Sequence, residues 1–155
     1  MEVKLEKATM RDANSIFDMQ VKAFTPLLEK YKDYDTNPAN ETIDRVLMRI
    51  NSLNRAFYKI LADNELVGAI SVKWEGNAKF WISPMFLIPS YQGKGIAQEA
   101  LILLEKMYPQ AMTWELATIK EEERNCYLYE KMGYNQTGVS KKLNDNATLI
   151  YYKKA

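Results

Sequence analysis

Apolar residues recur with a helical period in four stretches of the chain and with a strand-like pattern in several others. Val3–Ala8 alternates as an edge strand does. Thr9 is placed to cap the helix that follows, with Arg11 and Asp12 in its first turn and Ala13, Ile16, Phe17 and Phe24 on one face. Gln20 falls on that same face. It is either the margin of the apolar stripe or a polar group aimed into a cleft. Pro26 is expected to interrupt this helix, and Leu27–Asn40 reads as a short helical turn plus loop. Ile43, Val46, Leu47 and Ile50 form a second helical stripe. Ala56–Ala62, Leu66–Trp74 and Phe80–Ile88 then read as three strands of an antiparallel meander, with turns at Asp63-Asn64-Glu65 and Gly76-Asn77. Ala97, Ala100, Leu101, Leu104, Met107 and Tyr108 share a third helical face, ending near Pro109. Thr113–Ile119 is a strand. Arg124–Met132 is a helix stopped by Gly133, and Tyr134–Ser140 and Thr148–Lys153 are two final strands around Asn144-Asp145-Asn146. The order predicts a mixed α/β fold.

With 155 residues the chain suits one domain, spanning 1–155. Lysine and arginine nearly balance aspartate and glutamate, leaving a net charge of +1. That balance argues against a dedicated nucleic-acid surface. The one cysteine, Cys126, excludes an intramolecular disulfide and fits a reducing, cytoplasmic compartment. Neither an apolar signal core at Met1–Lys4 nor a bilayer-length apolar run is present, so no membrane partner is expected. Histidine is absent altogether. Acid–base chemistry therefore falls to carboxylates, tyrosines, lysines, the thiol or water, and neither a histidine-bearing zinc site nor a thiolate cluster can form, so no metal is expected.

Gln92-Gly93-Lys94-Gly95-Ile96-Ala97 joins a strand ending at Pro89 to a helix. The first N–H groups of a helix lack internal partners and carry partial positive charge. Glycines let the backbone approach an anion, and Lys94 adds a full charge. Such a turn suits a phosphate or pyrophosphate. It is neither a nucleotide-hydrolase P-loop nor a G-x-G-x-x-G turn, and taken alone it also fits a tight strand-to-helix turn without ligand.

Gln92–Ala97, with Pro89-Ser90-Tyr91 before it, resembles the Q/R-x-x-G-x-G/A signature of the GNAT superfamily of N-acetyltransferases. Leu128-Tyr129-Glu130-Lys131-Met132-Gly133-Tyr134 resembles the same superfamily's Leu-Tyr-Glu-Lys-x-Gly-Phe/Tyr helix. The resemblance spans essentially the whole chain. It implies a GNAT-like, mostly antiparallel central sheet of six to seven strands flanked by about four helices. It also implies acetyl transfer from acetyl-coenzyme A to a primary amine of a small molecule or peptide, by direct transfer in a ternary complex. A coenzyme-A-binding regulatory module without turnover is the alternative. Many relatives form dimers, so a homodimer is among the expected assemblies.

Carried over residue by residue, the resemblance puts the pyrophosphate on Gln92, Gly93, Lys94, Gly95, Ile96, Ala97 and Gln98. The pantetheine arm would lie along Met85, Phe86 and Leu87 like an added strand. Tyr129 matches the tyrosine that protonates the departing thiolate; as isolated sequence it reads rather as a core tyrosine on an apolar helix face with Leu128 and Met132. Many relatives carry an asparagine seven residues before that tyrosine, where this chain has Glu122. Asn125, one helical turn before Tyr129, is the substitute expected to contact the cofactor arm. For the base, Glu115, Glu122 and Glu75 are candidates beside a water relay. A lysine-type amine of pKa about 10.4 needs such help, since deprotonation at neutral pH costs roughly 4.6 kcal/mol. On the acceptor side, Gln20, Tyr31 and Asp33, with Glu29, Tyr34 and Asp35 nearby, either receive a cationic amine or form a solvated loop. Cys126 is not read as a nucleophile, because no activating base is visible.

Overall fold

The computed structural model describes residues 1–76 and 78–155. The expected turn residue Asn77 lies outside them. Among the described residues seven strands form one sheet in the order β1-β2-β3-β4-β5-β7-β6. They are β1 (Val3–Lys7), β2 (Arg55–Ala62), β3 (Glu65–Glu75), β4 (Lys79–Leu87), β5 (Thr113–Ile119), β6 (Asn135–Asn144) and β7 (Ala147–Lys154). Every pairing is antiparallel except β4–β5. Four α-helices flank the sheet among the described residues: α1 (Ala13–Tyr31), α2 (Ile43–Asn51), α3 (Ile96–Met107) and α4 (Glu123–Lys131). The meander and the edge position of β1 match the sequence reading.

Strand alternation divides the sheet into two faces. Tyr58, Ile60, Ile70, Val72, Phe80 and Leu116 pack with Ile96, Leu101 and Leu104 of α3 and Tyr129 of α4. Phe57, Ala69 and Phe86 pack on the other face with Ile16, Met19 and Ala23 of α1 and Val46 of α2. Leu101 and Leu104 are fully buried, and each contributes roughly 2 kcal/mol of burial. Gly133 ends α4 in the left-handed region, and Tyr134 N–H bonds back to Tyr129 C=O at 2.9 Å. This closure fixes α4 and therefore Tyr129.

Two local expectations are corrected. Thr9 caps a 3₁₀ turn at Met10–Asp12, with Asp12 returning a bond to Thr9 N–H, and α1 begins after it. Pro26 does not interrupt: α1 runs through it to Tyr31. The lost helix bond is outweighed by tertiary anchoring of the far end. Tyr31 is buried, Lys32 N–H caps Leu28 C=O at 2.7 Å, and Asn144 Nδ2 donates to Tyr31 C=O at 2.8 Å.

Gln20 is fully buried, and its amide nitrogen donates to Pro38 C=O and to Glu41 Oε1, both at 2.9 Å. Arg49 grips Glu41 with two bonds of 2.7 Å. This network ties the α1–α2 connection to both helices. Burial pushes the Glu41 carboxyl up, but the Arg49 guanidinium outweighs it and holds the carboxyl below its usual range. The pair's stabilisation is thus present above about pH 4.3 and lost as pH falls through the lower folded value. Arg49→Ala strands the Glu41 charge and is expected to cost about 3 kcal/mol in urea unfolding at neutral pH.

Candidate active site

β4 and β5 pair only at Lys79–Trp81 against Thr113–Glu115. Beyond that point β4 stays paired with β3 as far as Leu87, and β5 stays paired with β7 as far as Ile119. Each strand follows its outer partner, so the two diverge. The β5-facing backbone of Ile82–Leu87 is left along one wall of a cleft. Two residues of β4, Ser83 and Pro84, stand opposite Ser71 of β3 at a bulge within this wall.

The cleft holds two cavities. The larger, about 960 Å³, is lined by Met85, Phe86 and Leu87, by Gln92, Gly93, Gly95, Ile96, Ala97 and Gln98, and by α4. The smaller, about 260 Å³, is lined by Trp81–Met85, Leu116–Ile119, the α1–α2 connection and Leu143 and Leu149. Phe24, Leu27, Met85, Glu122, Asn125 and Tyr129 border both, so the cavities meet at those side chains.

At one end of the larger cavity Gly93 and Gly95 have φ of 76° and 81°, and Gly95 is the N-cap of α3. A Cβ at either would meet nothing within 4 Å, so the glycines face open space rather than packed protein. No side chain caps α3. The N–H groups of its first turn are therefore available to an anion. Gln92 Nε2 donates to Leu87 C=O at 2.9 Å, and Gln92 Oε1 accepts from Arg124 Nη2 at 3.0 Å. Arg124 thus brings a cation to this end from the start of α4.

Where the cavities meet, Tyr129 is 8% exposed. It packs against Tyr134 and Tyr152, with ring centroids 6.1 Å away in each case. The hydroxyls of those neighbours donate to Glu105 and Glu130 at 3.0 and 2.7 Å. Among the described residues, Tyr129's own hydroxyl has no hydrogen-bond partner. Burial, with Cys126 adding to it, pushes the Tyr129 phenol well above its ordinary range. It therefore stays protonated at neutral pH, a donor aimed at the cavity. Glu122 accepts from Tyr31 Oη at 2.5 Å and from Lys30 Nζ at 3.1 Å.

The profile of the acetyltransferase (GNAT) family matches residues 14–134, a span that includes the glycine turn and the Tyr129 helix. The chain belongs to the GNAT family. No curated protein matches it. Solved structures share its fold at low identity. An acetyl transferase from Salmonella typhimurium, which modifies the N-terminal serine of a ribosomal subunit protein, is 20% identical with a TM-score of 0.78, over 98% of this chain and 94% of that one. Spermidine N-acetyltransferase from Vibrio cholerae, in complex with CoA and spermine, is 14% identical with a TM-score of 0.77, over 97% and 94%. PaiA N-acetyltransferase from Thermoplasma acidophilum, in complex with coenzyme A, is 16% identical with a TM-score of 0.70, over 97% and 98%. This GNAT protein is an acetyltransferase that uses acetyl-CoA to acetylate an amine. Among the described residues no acidic, cysteine or histidine cluster is arranged for a metal, and no helix is long and apolar enough to cross a membrane.

The GNAT cleft brings together Met85, Phe86, Leu87, Gln92, Gly93, Gly95, Ile96, Ala97, Gln98, Glu122, Asn125 and Tyr129. Other expected site residues lie elsewhere. Lys94 does not line the cavity; its ammonium sits over the Tyr91 ring, 5.4 Å from the centroid. Gln20 lines neither cavity; its amide nitrogen is turned to Pro38 C=O and Glu41 at the α1–α2 connection. Glu115 stands where β4 and β5 are still paired, with Lys79 at 3.3 Å, and lines neither cavity. Glu75, also beside Lys79, is exposed at the same closed end. Asp33 borders the smaller cavity, but Thr36 occupies its carboxylate through both N–H and hydroxyl. Tyr31 lies behind Glu122 rather than on a cavity wall. Glu29, Tyr34 and Asp35 are exposed. Arg124, Phe24, Leu27 and Trp81 line the cleft, although the sequence reading gave none of them a site role. A basic residue in the first turn of the helix facing the glycine turn was the available signal for Arg124.

Proposed function

We propose that the chain, acting as one domain in the cytoplasm, transfers acetyl directly from acetyl-CoA to the acceptor nitrogen in a ternary complex. The observation that carries this is Tyr129 at the junction of the two cavities, its hydroxyl without a protein partner among the described residues. Acetyl-CoA supplies an activated acetyl thioester. Gly93–Gln98 bind its pyrophosphate through backbone N–H groups, assisted by Arg124. The unpaired edge at Met85–Leu87 accepts the amide-bearing arm as an added strand. Asn125 borders the same path. The acceptor enters through the smaller cavity. Its nitrogen forms a C–N bond with the acetyl carbon as the C–S bond breaks, and the electron pair leaves on sulfur. Tyr129 donates a hydrogen bond to that thiolate. Glu122, directly or through water, takes the proton lost by nitrogen, and Lys30 and Tyr31 hold its carboxylate in place.

A thiol-release assay with acetyl-CoA and a panel of amino acids, peptides, polyamines and aminoglycosides tests this. Coenzyme A should appear only when an amine is present, with stoichiometric N-acetyl product. Tight acetyl-CoA binding without thiol release across the panel would instead support a coenzyme-A sensor.

A further inference from the structure

Arg55 begins β2, and its guanidinium is partly buried. Among the described residues its one hydrogen bond to protein is long, from Nη1 to Ser83 C=O at 3.4 Å. Among the described residues it forms no ion pair. The charged groups acting on it are Arg49, Arg45 and Glu41, and Glu41 is held on both oxygens by Arg49. Lys73 stands opposite it in the β2–β3 register. A guanidinium has five N–H donors in a planar fork that matches an oxyanion. Among the described residues four of them have no protein acceptor, in a setting with excess positive charge.

Ser83 is a wall residue of the smaller cavity, just beyond the point where β4 and β5 part. The Arg55–Ser83 bond is exposed to solvent, so the guanidinium is reachable at that rim. The cavity's two carboxylates are already engaged, Asp33 by Thr36 and Glu122 by Tyr31 and Lys30. Among the described residues Glu122 is thus paired with a lysine, Asp33 is tied down by Thr36, and a cation with unfilled donors stands beside the cavity's rim.

We propose that the acceptor is a primary amine that also carries a carboxylate or phosphate, and that Arg55 binds this anion at the Ser83 rim while the amine lies at Tyr129. This rests on the acetyl-transfer reading above and narrows its acceptor class.

The test uses amines in matched pairs: leucine with 3-methylbutylamine, phenylalanine with phenethylamine, and phosphoethanolamine with ethanolamine. The last pair distinguishes phosphate from carboxylate. Spermidine serves as the polycationic arm. Coenzyme A release should favour the anionic member of at least one pair by about tenfold or more in kcat/KM, carried by acceptor KM. Arg55→Gln should bring that ratio close to one without changing KM for acetyl-CoA, and Arg55→Lys should restore part of it. Thermal melts show whether each variant is folded. Independently of turnover, N-acetyl-leucine should raise the melting temperature of the wild-type protein with CoA more than that of Arg55→Gln. Preference for the uncharged members or spermidine, or an anion preference unchanged by Arg55→Gln, would overturn this inference while leaving acetyl transfer intact. Coenzyme A release with no amine at all would remove both.

Discussion

Tyr129→Phe is expected to lower kcat for acetyl transfer about a hundredfold while leaving KM for acetyl-CoA within a factor of two or so. The expectation follows from what the hydroxyl does and does not touch. Its neighbours Tyr134 and Tyr152 spend their hydroxyls on carboxylates, so removing either would damage a structural bond. Tyr129's hydroxyl has no such bond to lose, and phenylalanine fills the same ring position. The loss should therefore appear in the chemical step and not in stability. The magnitude is that of one hydrogen bond to a developing charge, about 2–3 kcal/mol. Full protonation is not required: the thiol's pKa is about 8.5, and burial holds the phenol well above its ordinary value of about 10. The phenol therefore remains the better proton holder and acts by hydrogen bonding. Because its pKa is raised, the donor form persists as pH rises and is lost only on passing the folded value. The pH profile of kcat should accordingly show no Tyr129-dependent alkaline fall below about pH 10. A Phe variant with wild-type kcat throughout that range would remove Tyr129 from the mechanism.

Gly95→Glu is expected to weaken acetyl-CoA binding by about a hundredfold or more, read as Kd by calorimetry. Gly95 has φ of 81°, and its missing Cβ faces open space. Two penalties follow. An L side chain in the left-handed region costs about 1–2 kcal/mol, most of it on stability. A carboxylate at the N-cap of α3 then occupies the anion's position and repels it. Gly95→Ala separates the two, since it carries the strain without the charge. It should lose stability and keep most of its affinity. Equal binding loss in both variants would mean that backbone shape, not charge, governs the site.

The donor half of the site was legible in the sequence and the acceptor half largely was not. Gln92–Ala97 and Leu128–Tyr134 are local motifs, each confined to one turn or helix, so their resemblance to the family's motifs can be read from the sequence alone. The meander was legible because apolar-rich runs at Ala56–Ala62, Leu66–Trp74 and Phe80–Ile88 are punctuated by the turn signals Asp63-Asn64-Glu65 and Gly76-Asn77. By contrast, Pro26 reads as a breaker from local propensity, yet Tyr31, Lys32 and Asn144 hold the helix together beyond it. Gln20 and Glu115 were misplaced for a related reason. Whether a polar side chain meets a cavity depends on partners distant in sequence, Pro38 and Glu41 for one and Lys79 for the other. The parting of β4 and β5, which creates the cleft, is a property of the register between three pairs of strands and leaves no mark on either strand alone.

An amide-resolved NMR titration with acetyl-CoA tests the central claim most directly. On the proposed placement of the donor along the glycine turn and the open edge of β4, the largest shifts are expected at Gly93–Gln98 and Met85–Leu87, with smaller ones at Asn125 and Tyr129. Strands β1 and β2, on the far side of β3 from the cleft, should barely move. Saturation of the protein with no change at Gly93–Gln98 would contradict the account.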